Sequence, residues 1–265
     1  MKKEICIAVM VVLTAVFAVS TYFIVSHHIQ GKAQAELYDS LAEQVEATVL
    51  ESASATEPEA TEPTMLPELA DLYEQNKDLV GWISIEDTNI NYPVVQSVDR
   101  QDFYLKHAFD GSYSDYGCPY VQEDCDIYYS DNLVIYGHHM GNGSMFNNLE
   151  KFKSKDFWQE HKTVSFNTLM EKADYEIVAV FKTVAYTDSP DAFKYYRFVN
   201  AENADDFNTY IDRCKELSMY DTGVSAEYGD KLITLSTCEY SRNNSRLVVV
   251  AKKIVDRPAL EAENS

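Results

Sequence analysis

Residues 232–254 read LITLSTCEYSRNNSRLVVVAKKI, and they contain the chain's most reactive pairing of residue types. Two apolar, β-branched runs flank seven residues rich in Ser, Asn and Arg, a composition that predicts strand, loop, strand. If the two runs pair as a hairpin, Cys238 leaves one strand and Arg246 enters the next at the same end of the sheet. Neighbouring strands lie about 4.8 Å apart, so thiol and guanidinium could face one site. A guanidinium near a thiol favours the thiolate, and its fork of donors can bind a developing oxyanion. A buried, inert thiol beside a surface arginine would give the same string, so this stretch alone leaves both readings open.

A second stretch supplies a base. Leu133-Val134-Ile135-Tyr136 leads into Gly137-His138-His139-Met140 and a Gly141-Asn142-Gly143 turn. A histidine at a strand end beside a loop is well placed for proton transfer. Strand side chains alternate faces, so only one of His138 and His139 is expected to reach a given site. His27 and His28 abut an apolar run, while His107 and His161 fall in helix-like or loop contexts.

Cys, His and Arg together form a set sufficient for acyl transfer: the thiolate attacks a carbonyl, the imidazolium protonates the departing amine, and the arginine steadies the tetrahedral oxyanion. Water as acceptor gives a peptidase; an amine gives a transpeptidase. The papain-like order places Cys before His, whereas here His138 precedes Cys238. A membrane-tethered binding module is the competing class, and it leaves the Cys–His–Arg combination unexplained.

These residues need a scaffold. Strand-like runs rich in Val, Ile, Tyr and Thr occur at 80–85, 90–95, 120–122, 133–136, 163–166, 175–186, 231–237 and 246–254. Gly, Asn, Asp and Pro punctuate them. Helical patterns fall at 67–75, 102–107, 145–152 and 204–217. Eight short strands without regular β-α-β alternation predict a mostly antiparallel, closed sheet with helices outside it.

Upstream, Lys2-Lys3 precede Ile5 to Val25, a run without a charged residue. As a helix it spans about 31 Å, the thickness of a bilayer core. The run outlasts a signal-peptide core, which predicts a retained anchor with residues 1–4 in the cytoplasm and the bulk outside. Residues 30–51 carry Leu37, Leu41, Val45 and Val49 at four-residue steps, the pattern of a one-faced helix. Residues 52–64 (SASATEPEATEPT) contain no large apolar side chain and are expected to be a flexible linker. The expected organisation is tip 1–4, anchor 5–25, stalk and linker 26–66, catalytic domain 67–255 and polar tail 256–265. A net charge of −21 argues against a nucleic-acid partner. Among the five cysteines no CxxC or Cys/His spacing suggests zinc, and no cofactor is expected. Cys118 and Cys125 are close enough in sequence to pair, with nothing to fix their geometry.

TLSTC with Arg246 eight residues beyond Cys238, together with LVIYGHHM, resembles the sortases of Gram-positive bacteria. Gly81-Trp82-Ile83, TNINYPVV at 88–95, Tyr104-Leu105, His107, Phe109-Asp110-Gly111 and the helix at 204–217 resemble class B within that family. The likeness covers roughly residues 67–255. It implies an eight-stranded sortase-type closed β-barrel with peripheral helices behind an N-terminal transmembrane helix. Cys238 is then the nucleophile that forms a thioacyl intermediate, His138 rather than His139 the acid/base, and Arg246 the oxyanion partner, with an uncharged Cys–His pair at rest. By the same resemblance Ser236, Glu239 and Tyr195 line the substrate groove. The implied partners are secreted proteins with a C-terminal Pro-x-Thr sorting signal and a peptidoglycan precursor or cross-bridge amine. A pilin lysine is the alternative acceptor.

Overall fold

The computed structural model describes residues 2–54, 64–185, 192–240 and 244–255. Most of the expected linker, and the whole of the tail at 256–265, fall outside these residues. Two compact units are distinguished, residues 1–40 and 41–265.

Helix α1 (Lys2–Ser54) takes in both the apolar run at 5–25 and the one-faced stretch at 30–51. No Pro interrupts it, and straight-chain residues and alanines dominate its second half. Residues 5–25 expose their apolar side chains, and α1 is long and apolar enough to cross a membrane. Farther along, Leu41 is buried and Val45 and Val49 are half-buried, the one-faced pattern predicted for this stretch.

The second unit is a closed eight-stranded barrel. Its strands are β1 (Leu79–Ser84), β2 (Asn91–Val95), β3 (Tyr120–Val121), β4 (Asn132–Tyr136), β5 (Thr163–Thr168), β6 (Asp174–Val184), β7 (Leu232–Cys238) and β8 (Ser245–Lys253). They close in the order β1-β2-β3-β4-β7-β8-β6-β5. Each coincides with an expected run to within two residues at either end. Six pairings are antiparallel, and two, β2 with β3 and β4 with β7, are parallel. Parallel neighbours require a long crossover. Between β4 and β7 that crossover contains β5, β6 and most of the helices, so the pairing is invisible to local pattern.

Helix α2 (Pro67–Gln75) starts on proline, where the missing N–H is harmless, and buries Leu69 and Leu72. Helix α3 (Lys155–Glu160) was not anticipated; the expected helix at 145–152 is a 3-10 helix, Phe146–Lys153, which hands over to α3 at the Ser154 cap. Helix α4 (Ala204–Leu217) has the expected bounds. Asn203 Oδ1 accepts from the Asp206 N–H at 3.1 Å to cap its start, and Phe207, Tyr210, Ile211 and Cys214 are its buried face. Burying each large apolar side chain of that face contributes about 2 kcal/mol. It packs on β6, while β4 and β7 are buried along almost their entire length, as strands covered on both faces should be.

Candidate active site

The site forms where β4, β7 and β8 end or begin at one rim of the barrel. In the β7–β8 hairpin Cys238 and Arg246 are direct cross-strand partners. Both side chains are half-buried. The Arg246 Nη1 donates to the Ser245 carbonyl at 3.1 Å.

The parallel register of β4 and β7 brings the histidine to the thiol. Tyr136 pairs with Ser236, so two residues on His138 draws level with Cys238. Beyond the last strand pair the alignment is held by two further bonds. The Gly137 N–H donates to the Ser236 carbonyl at 3.1 Å, and Thr237 Oγ1 donates to the Gly137 carbonyl at 2.8 Å. Gly137 has to be glycine for steric reasons. A Cβ there would stand 2.5 Å from Cγ of the buried Phe146 ring.

His138 is oriented by a main-chain acceptor. Its Nε2 lies 2.7 Å from the Leu105 carbonyl, which ends a 3-10 turn at Phe103–Leu105. A carbonyl only accepts, so Nε2 carries the proton and Nδ1 of the neutral ring keeps its lone pair. Burial pushes His138 below the ordinary imidazole range; the Leu105 carbonyl opposes that shift, and the nearby Lys106 and Arg246 charges add to it. The neutral ring is thus favoured at rest.

His138, Cys238, Arg246, Ser236, Tyr104 and Tyr136 are among the residues lining one cavity of about 240 Å³. His139 is not among them. It turns the other way, edge-on to Tyr240 with ring centroids 4.9 Å apart and 3.8 Å from Glu150, as alternation predicted.

The three expected groove residues separate. Ser236 lines the cavity, and its Oγ shares a 2.6 Å hydrogen bond with Tyr195 Oη. Tyr195 is 1% exposed and stands behind Ser236 rather than on the cavity wall. Glu239, one residue past β7, is also buried and away from the cavity. Its Oε1 accepts from Lys153 at 2.9 Å and Lys182 at 3.2 Å. The neighbouring Tyr196, not Tyr195, lines a second cavity that shares Asp102 and Tyr136 with the first.

Local reading missed the Leu105 carbonyl and the walls formed by Asp102, Tyr104 and Tyr120. Only Tyr136 had a signal, since two residues before His138 on a strand is the same face. Cys118 lines the cavity and its thiol donates to the Pro93 carbonyl, while the Cys125 thiol donates to the Asn132 carbonyl. No disulfide joins them. Burial pushes the Cys125 thiol up to about 11 and Cys214 up to about 12, so neither supplies a thiolate near neutrality.

A half-buried thiol level with an oriented imidazole and paired with a guanidinium can carry out nucleophilic acyl transfer. The comparisons agree. A Sortase domain model matches residues 83–254. Sortase B of Listeria monocytogenes is 34% identical over 227 residues, covering 83% of this chain and 88% of that protein. Sortase B of Staphylococcus aureus is 28% identical over 255 residues, covering 95% and 98%. A solved Staphylococcus aureus sortase B–substrate complex aligns with a TM-score of 0.74 at 28% identity, over 86% of this chain and 100% of that one. The chain therefore belongs to the sortase family and, within it, to the class B sortases, which are cysteine transpeptidases.

Proposed function

We propose that this chain cleaves a Pro-x-Thr-containing C-terminal sorting signal after its threonine and transfers the secreted protein to a cell-wall amine. The observation that supports this most directly is one cavity lined by Cys238, His138 and Arg246, with thiol and guanidinium paired across a hairpin.

In this reading the Cys238 thiol gives its proton to Nδ1 of the neutral His138 ring, and the resulting thiolate attacks the threonine carbonyl, forming the C–S bond. The carbonyl oxygen becomes an oxyanion beside Arg246. As the peptide C–N bond breaks, the His138 imidazolium gives its proton to the leaving nitrogen, which departs as an amine. An acceptor amine then attacks the thioester, His138 takes the surplus proton, and Cys238 leaves as thiolate. With the Leu105 carbonyl on Nε2, the exchanged proton enters and leaves through Nδ1.

Ser236 contacts the signal directly. Tyr195 supports Ser236 from behind, and Glu239 anchors the start of the β7–β8 loop through Lys153 and Lys182. Residues 5–25 of α1 span the membrane with Lys2 and Lys3 inside, which places the barrel on the outer face where secreted substrates and peptidoglycan precursors meet it.

The test is mass spectrometry of products from a panel of Pro-x-Thr peptides, with and without an added peptidoglycan-type amine. Transfer product joined at the threonine is the expected result, and Cys238→Ala should form none. Hydrolysis product alone in the presence of amine would make the chain a peptidase.

A further inference from the structure

The Leu105 carbonyl that orients His138 is itself held in place by two residues with no part in the chemistry just described. Tyr104, the residue before it, fixes the 3-10 turn from its side chain. Its hydroxyl donates to Asp78 Oδ2 at 2.9 Å and accepts from Asn76 Nδ2 at 2.9 Å, and its carbonyl accepts from the Cys118 N–H at 3.0 Å. From the other side the turn rests on Gly117. That residue has φ of +61°, and a Cβ there would come within 2.5 Å of the Tyr104 carbonyl oxygen, 3.0 Å of the Leu105 carbonyl oxygen and 3.1 Å of Cδ2 of His138. Two of those three atoms belong to the Leu105–His138 contact: the accepting oxygen itself and the ring carbon bonded to Nε2.

We propose that Gly117 and Tyr104 are positioning residues: the absent side chain at 117 and the anchored hydroxyl at 104 together hold the Leu105 carbonyl on Nε2 and thereby keep His138 in the single tautomer whose Nδ1 is free to exchange protons. This rests on the reading of His138 as the acid/base group. A mixed tautomer would leave part of the enzyme with a hydrogen on the nitrogen that must accept, and a displaced ring would lengthen every proton transfer.

Gly111 provides a matched control. It lies in the same β2–β3 connection with φ of +78°, but nothing lies within 4 Å of a Cβ built there. Gly111→Ala and Gly117→Ala therefore share the backbone strain of a left-handed alanine, and only the second presses on the carbonyl and the ring.

The experiment uses the full-length chain in detergent micelles with ¹⁵N-labelled histidine, at a pH where the ring is neutral. The His138 signals are assigned among the six histidines by their loss in His138→Ala. Long-range ¹H–¹⁵N spectra should show only the Nε2–H form in the parent and in Gly111→Ala, and a mixture in Gly117→Ala. Turnover of a sorting-signal peptide should fall about 10²-fold in Gly117→Ala relative to Gly111→Ala, with KM nearly unchanged, as expected for a misplaced catalytic group. Should Gly117→Ala not fold, Tyr104→Phe keeps the ring, releases the two hydroxyl contacts, and should shift the tautomer and kcat in the same direction. Parent-like spectra together with control-like kcat in the folded variant would overturn the proposal. Full activity in His138→Ala would instead overturn the acid/base reading beneath it.

Discussion

Cys238, the last residue of β7, and Arg246, the second residue of β8, face each other as direct cross-strand partners. Such partners hold their Cβ atoms about 5 Å apart. The start of the Arg246 side chain is therefore placed beside that of Cys238 by strand register.

The proposed oxyanion role of Arg246 rests on its fork of donors rather than on its charge alone. Arg246→Lys keeps the charge but loses the planar pair of donors, and kcat for signal-peptide transfer should drop about 10²-fold, the usual effect of losing an oxyanion donor. Burst kinetics of thioacyl formation would locate the loss in the first step. A rate within threefold of the parent would show that Arg246 contributes charge alone.

The two adjacent histidines should respond very differently. His138→Ala removes the ring that lines the cavity and should cost about 10²- to 10⁴-fold in kcat. His139→Ala removes a ring held against Tyr240 and Glu150 and should retain most of the activity, with a small loss in thermal midpoint. The reverse ranking would exchange their roles.

Titration of His138 should appear in stability as well as in rate. Its folded-state pKa lies below the ordinary value of about 6.5 because burial disfavours the imidazolium. The unfolded chain therefore binds this proton at a higher pH than the folded one. The stabilisation is complete above about 6.5 and is lost as pH falls through that value toward the lower, folded-state pKa. Urea midpoints of the parent and of His138→Gln, measured between about pH 7.5 and 5, should converge as pH falls. Parallel curves would mean that burial leaves His138 unshifted.

Gly137→Ala probes the step from β4 to His138. The new methyl would meet the Phe146 ring at 2.5 Å, and overpacking of this kind costs about 1–3 kcal/mol. Thermal midpoint and kcat should both fall, and Phe146→Leu in the same chain should restore part of each by making room. A Gly137→Ala protein with parent stability would show that the ring moves aside freely.

Tyr195→Phe should raise KM for the peptide while largely sparing kcat, because it frees Ser236 without touching the thiol. Combined with Ser236→Ala the effects should be less than additive, since either change alone breaks the 2.6 Å bond. Strict additivity would separate the two residues.

The sequence alone determined the strands, because runs rich in Val, Ile, Tyr and Thr and their Gly, Asn, Asp and Pro boundaries are local signals, and it determined α4 through its helical pattern. It also offered the Cys238–Arg246 juxtaposition as the outcome of a hairpin, and the β7–β8 pairing supplies that hairpin. The long apolar start of α1 was equally local. Tertiary structure decided what depends on distant segments meeting. The parallel pairing of β4 with β7 brings His138 level with Cys238 across a hundred residues of intervening chain. The Leu105 carbonyl reaches Nε2 from a connection 33 residues upstream. Tyr195 was expected on a groove wall and stands behind Ser236, because its hydroxyl is satisfied there. Glu239 was expected beside it and instead meets two lysines from other elements. Residue type and spacing carry local conformation; which buried donor meets which acceptor is settled only when the barrel closes.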